Sequence, residues 1–333
     1  MSDNSAVNST NTLQTFSGAF RAGTATFAII LVLGTIFGNV LVIVAFSRNV
    51  RMRTVTNYFV VSLACTDLCL ALFSMPVWVA YLLTGPIWTL GAALSRIWTM
   101  VDILVGTASI INLMAISFDR VLCIRNPLRY FDLMTSRRVI VIITGVWIYS
   151  TSMAVASFLL YTKRIFNLVA TIMCFSVPLL VIITSYSIIF KVALRHIRQM
   201  RATTQTQYPR SHYRFLKELK PAKTIAVVIG AFVVCWLPFV TLNVIYSLCN
   251  PSQGCPVVNP AVIMVTKWMH YGNSLLNPII YTVMNRDFRR AFKALLWPRN
   301  RTHPEEKTLD TRSTAAAGGL WAPAAANVGF HME

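Results

Sequence analysis

From Trp98 to Cys123 the chain reads WTMVDILVGTASIINLMAISFDRVLC, an apolar run interrupted only by Asp102, Asp119 and Arg120 among its charged residues. A run of this length and apolarity suits hydrocarbon. There every backbone N–H and C=O must be satisfied within its own segment, so the run is predicted to be a helix. Seventeen residues separate the two acids. At about 1.5 Å of rise per residue that is roughly 25 Å, close to the thickness of a hydrocarbon core. Ionisable groups inside a membrane helix are costly and mark ligand or ion pathways. One helix thus carries an acid near one membrane face and an Asp-Arg pair near the other, an arrangement that predicts coupling between an outer and an inner site.

The rest of the chain repeats the apolar theme. Hydrophobic residues make up 56% of it and charged residues 12%, where a soluble domain carries about 25% charged. Seven stretches are long enough to span, near 23–47, 56–83, 95–123, 138–161, 165–193, 222–248 and 259–284, and the expected fold is an all-α membrane bundle. The organisation read from this is a tail at 1–22, a seven-helix domain at 23–284, an amphipathic membrane-surface helix at 285–297 and a disordered tail at 298–333. Arginine and lysine cluster after the first, third and fifth spans, as in Arg48, Arg51, Arg53, Arg125, Arg129, Arg195 and Arg198. The positive-inside rule places those connections in the cytoplasm and the N-terminus outside. The net charge of +19 reflects this bias, which removes the case for nucleic-acid binding.

Residues 1–20 are polar and lack a basic start, so the first span is expected to act as the anchor. Asn8-Ser9-Thr10 is a glycosylation sequon on the predicted outer side. Cys249 and Cys255 flank Asn-Pro-Ser-Gln-Gly in a turn-rich outer loop and are expected to pair, two free thiols being the alternative. No metal triad, HExxH string or nucleophile elbow is present, so an enzyme is not expected. Internal repeats and discontinuous helices of a transporter are not visible either.

Short strings within the spans carry a resemblance. They are Gly38-Asn39-Val40, Ser62-Leu63-Ala64-Cys65-Thr66-Asp67, Asp119-Arg120-Val121, Trp147, Pro178 with Tyr186, Cys235-Trp236-Leu237-Pro238, and Asn277-Pro278-Ile279-Ile280-Tyr281. In this order and at these depths they resemble the rhodopsin-like G-protein-coupled receptors over about residues 23–295. Asp102, Thr107-Ala108-Ser109-Ile110, Trp268, Tyr271 and Asn273 point further, to the biogenic-amine group (dopamine, serotonin, adrenergic, octopamine and trace-amine types). That resemblance implies a plasma-membrane receptor for a small protonated amine, acting on a heterotrimeric G protein and an arrestin.

It also implies site residues. Asp102 would hold the ligand's ammonium, with Trp98, Thr171, Cys174, Trp236, Phe239, Asn243, Trp268 and Tyr271 around it. A desolvated carboxylate and aromatic faces both attract such a cation. An ion pair internal to the bundle remains the alternative for Asp102, and plain packing for the aromatics. Asp67, Ser109, Asn273, Ser274 and Asn277 offer oxygens from several spans. The resemblance implies a sodium ion there, a water-bridged cluster being the alternative. No other cofactor is expected. Asp119, Arg120, Glu218, Tyr186, Asn277, Pro278 and Tyr281 would form the inner switch, with Arg120 latched to Glu218 unless Glu218 is simply a solvated acid.

Four departures accompany these matches. Ser95 stands where such receptors place a cysteine, and no cysteine lies between Cys123 and Cys174 to pair with it. Only Tyr161 to Arg164 separate the fourth and fifth spans, which reads as a divergent open-mouthed receptor for an amine or another ligand, or as a poorly trafficked isoform. Ala170, Thr171 and Cys174 replace the serines that suit catechol hydroxyls, and Val240 replaces a second aromatic. Lys267 lies one turn before Tyr271. It can pair with Asp102 or snorkel to the surface, and snorkelling is the expectation.

Overall fold

Apolar side chains that have no water to avoid organise a bundle by packing and by the few polar groups that must be matched inside it. The computed structural model describes residues 18–84, 91–126, 128–160, 164–202, 209–249 and 258–297, and all regular structure among them is helical. The described residues up to Leu296 form one packed unit; of a second, 297–333, only Trp297 is described. The helices are α1 (Gly18–Arg48), α2 (Val55–Thr84), α3 (Ala92–Arg125), α4 (Ser136–Leu159), α5 (164–202), α6 (Pro209–Leu248), α7 (Pro260–Met284) and α8 (Arg286–Leu296). A single helical turn, Tyr130–Leu133, sits between α3 and α4.

Helices α1 to α6 each contain a stretch long and apolar enough to cross a membrane. Helix α7 has the length, but Lys267, His270, Asn273 and Asn277 lower its apolarity, because it carries the polar interior of the bundle. Large apolar side chains such as Leu33, Phe37, Val141, Ile148, Leu180 and Val234 lie exposed on the outside. A belt of that kind suits lipid rather than water.

Helix α3 is the central element. Ile110, Leu113 and Ile116 are buried in one hydrophobic cluster with Phe232 and Trp236 of α6 and Val42 of α1. Its first turn is preceded by Gly91, whose φ of 82° lies in the left-handed region that a side chain disfavours. Helices α1 and α7 meet closely: Asn39 Nδ2 donates to Ser274 O at 3.1 Å, and a Cβ on Gly38 would fall 2.8 Å from Pro278 Cγ.

Two helices change pitch, each for the same reason. Leu70–Ser74 in α2 and Ile172–Ser176 in α5 are π-helical. Pro76 and Pro178 follow two residues later. A proline cannot donate to the carbonyl four residues back and its ring crowds that carbonyl, so the turn before it widens. The widened turns carry Ser74 and Cys174 into the bundle, where both are buried. At the other end Asn285 Oδ1 accepts from Asp287 N at 3.0 Å and so caps α8. This helix buries Phe288, Ala291 and Phe292 and exposes Arg286, Arg289, Arg290 and Lys293, the pattern of a helix lying on a membrane surface.

Candidate functional site

At the Asp102 end, α3, α5, α6 and α7 enclose a cavity of about 360 Å³. Trp98, Asp102, Thr171, Cys174, Trp236, Phe239 and Asn243, all expected around a ligand, line it. Their convergence follows from helical spacing: Trp98 and Asp102 are one turn apart on α3, and Trp236, Phe239 and Asn243 step along one face of α6. Thr171 spends its hydroxyl on Asn167 O of its own helix, at 2.8 Å. Trp236 forms the floor, stacked on Phe175 at 5.0 Å and Phe232 at 5.3 Å, with the His270 ring 4.0 Å away. Gly106 makes room for it, since a Cβ there would fall 2.5 Å from Trp236 Cη2.

Asp102 is 9% exposed and both its oxygens are engaged. Oδ1 accepts from the Ser74 hydroxyl in a short contact, and Oδ2 accepts from Lys267 Nζ at 2.5 Å. Ser74 also lies 3.0 Å from the Tyr271 hydroxyl and accepts from Trp98 Nε1 at 2.8 Å. Ser74 therefore gathers α2, α3 and α7 around the carboxylate. Lys267 corrects the sequence expectation. Instead of snorkelling outward it turns in, 7% exposed, with Nζ 4.5 Å from the Trp98 ring centroid, 4.8 Å from Phe239 and 5.1 Å from Tyr271. A buried carboxylate and three aromatic faces stabilise the ammonium better than an apolar exit would.

Two further expected ligand residues stand off the cavity lining. Tyr271 is 2% exposed; its ring faces the Lys267 ammonium at 5.1 Å and its hydroxyl lies 3.0 Å from Ser74. Trp268 does not line the cavity but packs edge-on against Phe27 of α1 at 5.1 Å. One residue after Lys267 means about 100° around the helix, which turns Trp268 toward α1 rather than the cavity.

Midway along the bundle Asp67 is 1% exposed and accepts from Asn277 Nδ2 at 2.8 Å. Ser109 is 3.2 Å from Thr66 Oγ1, beside Asp67 in the chain. Asn273 and Ser274 are each 3% exposed, and Asn273 Oδ1 is buried with no hydrogen-bond partner among the described residues.

At the Arg120 end the Asp119 carboxylate is fully buried. It accepts from Arg120 Nη2 at 2.5 Å and Nε at 3.0 Å, from Thr56 Oγ1 at 2.8 Å, and from the Tyr130 hydroxyl at 2.7 Å. Burial, and then the adjacent carboxylate, hold the Tyr130 phenol well above its usual range, so it remains a donor. Tyr186 has a buried hydroxyl without a partner among the described residues, and Tyr281 stacks on Phe288 at 5.3 Å. Arg120, Thr56, Tyr130 and Tyr281 share the lining of a second cavity of about 450 Å³ with Arg51 and Arg53. The backbone of Glu218 belongs to α6, but its side chain, like Asn8 and Cys255, lies outside the described residues. Cys249 is disulfide-bonded, and Cys65, Cys69, Cys123, Cys174 and Cys235 are free thiols.

Sequence reasoning missed Ser74, Phe175, Thr56 and Tyr130. Pro76 and Pro178 were the available signal for the first two, because each marks a widened turn just before it.

Residues 38–281 match the family described as 7 transmembrane receptor (rhodopsin family). The chain is 35% identical over 303 residues to the histamine H2 receptor of Rattus norvegicus, covering 84% of this chain and 80% of that one. It is 34% identical over 313 residues to the histamine H2 receptor of Homo sapiens, with coverage of 86% and 82%. Against the D(1) dopamine receptor of Carassius auratus it is 34% identical over 323 residues, with coverage of 83% and 88%.

Proposed function

The chain belongs to the rhodopsin family of seven-transmembrane receptors, and we propose that it holds a ligand's protonated amine at Asp102 and passes the signal to a heterotrimeric G protein. It is a receptor rather than an enzyme, and a multi-pass plasma-membrane protein. The observation that carries the reading is a buried carboxylate on the central helix, at the wall of an aromatic-lined cavity. Relatives named for histamine and dopamine, both small amines, support it. The arginine-rich connections support an outward N-terminus and a cytoplasmic Arg120 end. There Arg120 is released from Asp119 on activation, α6 swings out, and the widened inner cavity receives the G protein and afterwards an arrestin. Pro238 and Pro278 supply the pivots.

Cells expressing the chain at their surface should respond to members of a panel of small ammonium compounds by a change in second messenger. Asp102→Asn should raise the effective concentration at least about 100-fold, since removing one partner of a buried ion pair costs several kcal/mol. A response untouched by that substitution sinks the site.

Between the two ends, Asp67 with the oxygens of Ser109, Asn273, Ser274 and Asn277 fits a hard monovalent cation, one carboxylate among neutral donors. The buried, unpartnered Asn273 Oδ1 is an acceptor that such an ion satisfies. Bound sodium would favour the resting state. Replacing potassium by sodium should then lower agonist affinity in wild type and leave Asp67→Asn unchanged; equal sodium effects on both would contradict this.

A further inference from the structure

The ammonium of Lys267 stands where the proposed function puts the ligand's own. It lies 2.5 Å from Asp102 Oδ2 and within 4.5–5.1 Å of the ring centroids of Trp98, Phe239 and Tyr271. A single carboxylate and a single ammonium are the charged groups on the described lining of the cavity, so its formal charge is zero. His270 is adjacent but sits behind the aromatic wall, against Trp236 and Phe239, and does not line the space.

That balance selects ligands by charge. A simple monoamine that displaces Lys267 from Asp102 leaves two cations sharing one anion at a buried position, where Asp102 is 9% and Lys267 7% exposed and charges are screened less than in water. A ligand bearing both an ammonium and a carboxylate keeps the sum at zero. Its ammonium goes to Asp102 and its carboxylate to Lys267, so one ion pair is exchanged for two. The two ligand charges must be close together, because the protein pair they separate closes to direct contact. Beyond them, Trp236, Phe175 and Phe239 offer ring faces, and Thr171, Asn167 and Asn243 lie farther along the lining. From this geometry we infer that the ligand class of this receptor is a small zwitterion, an aromatic α-amino acid, rather than its decarboxylated amine. The inference rests on Asp102 as the ammonium site and makes Lys267 the residue that determines specificity.

The test uses the full chain in cells, with surface expression of each variant measured by an epitope tag and second-messenger output as readout. The probes are matched pairs: tyramine and tyrosine, tryptamine and tryptophan, histamine and histidine, dopamine and 3,4-dihydroxyphenylalanine. In at least one pair the amino acid should act on wild type at a concentration at least tenfold below that of the amine. Lys267→Met should reverse that order, Lys267→Arg should preserve it, and Asp102→Asn should abolish both responses. Wild type that responds to the amine as well as or better than to the amino acid, or to no amino acid of the four, overturns the inference. If the amine responses of wild type or of Lys267→Met are then lost in the Asp102→Asn background, the ammonium site stands and only the zwitterion fails. Responses that persist without the Asp102 charge remove both.

Discussion

Asp102 gains its significance from what touches it. The acid was legible in the sequence because a charge in an apolar helix is rare; Trp98 followed from helical spacing, and Trp236 and Phe239 from the family resemblance. Its two hydrogen-bond donors were not equally legible. Ser74 reaches Asp102 only because α2 widens before Pro76, and Lys267 turns inward only because a carboxylate faces it across the bundle. Such cross-bundle pairings depend on packing, which periodicity does not encode. Gly106 illustrates the same limit, since nothing in its own segment announces that Trp236 lies against it. Adding a methyl group there places Cβ 2.5 Å from Trp236 and 3.3 Å from Phe175. Gly106→Ala should therefore displace a ring already stacked on two others, at a cost of about 1–3 kcal/mol. A lower thermal midpoint of the solubilised receptor is expected; a midpoint equal to wild type would show that the floor is not tightly packed.

Among the elements, the helices were the most readable feature: an apolar stretch appears near each of α1 to α7, although polar residues dilute it in α7. Their ends and irregular turns were less so. The inner end of α3 depends on the short turn at Tyr130, which periodicity does not reveal, and this turn binds Asp119 from outside the bundle. Because the phenol is held above its usual range, its contribution is present below pH 10 and is lost only as pH rises through the higher folded value. Tyr130→Phe removes one donor from a buried carboxylate that keeps Arg120 and Thr56. A net loss of about 1 kcal/mol from the resting state shifts the resting-to-active ratio by roughly fivefold. Agonist-free signalling should rise by about that factor at matched surface expression, and by the same factor at pH 6 and pH 8. Unchanged basal output would mean that Tyr130 does not restrain the latch.

For the whole molecule, the proposed function makes the two charged ends of α3 parts of one two-state device. Asp102 lines one cavity, and Arg120, paired with the buried Asp119, lines a second at the far end. Coupling between two sites is a free energy and is reciprocal, so a partner at one end must alter affinity at the other. The most direct test is agonist affinity in purified receptor, reconstituted in bilayer discs, with and without nucleotide-free heterotrimeric G protein. Affinity should rise by roughly 5- to 150-fold when the G protein is bound. An affinity identical in both conditions would contradict the claim that Asp102 and Arg120 report on a single equilibrium.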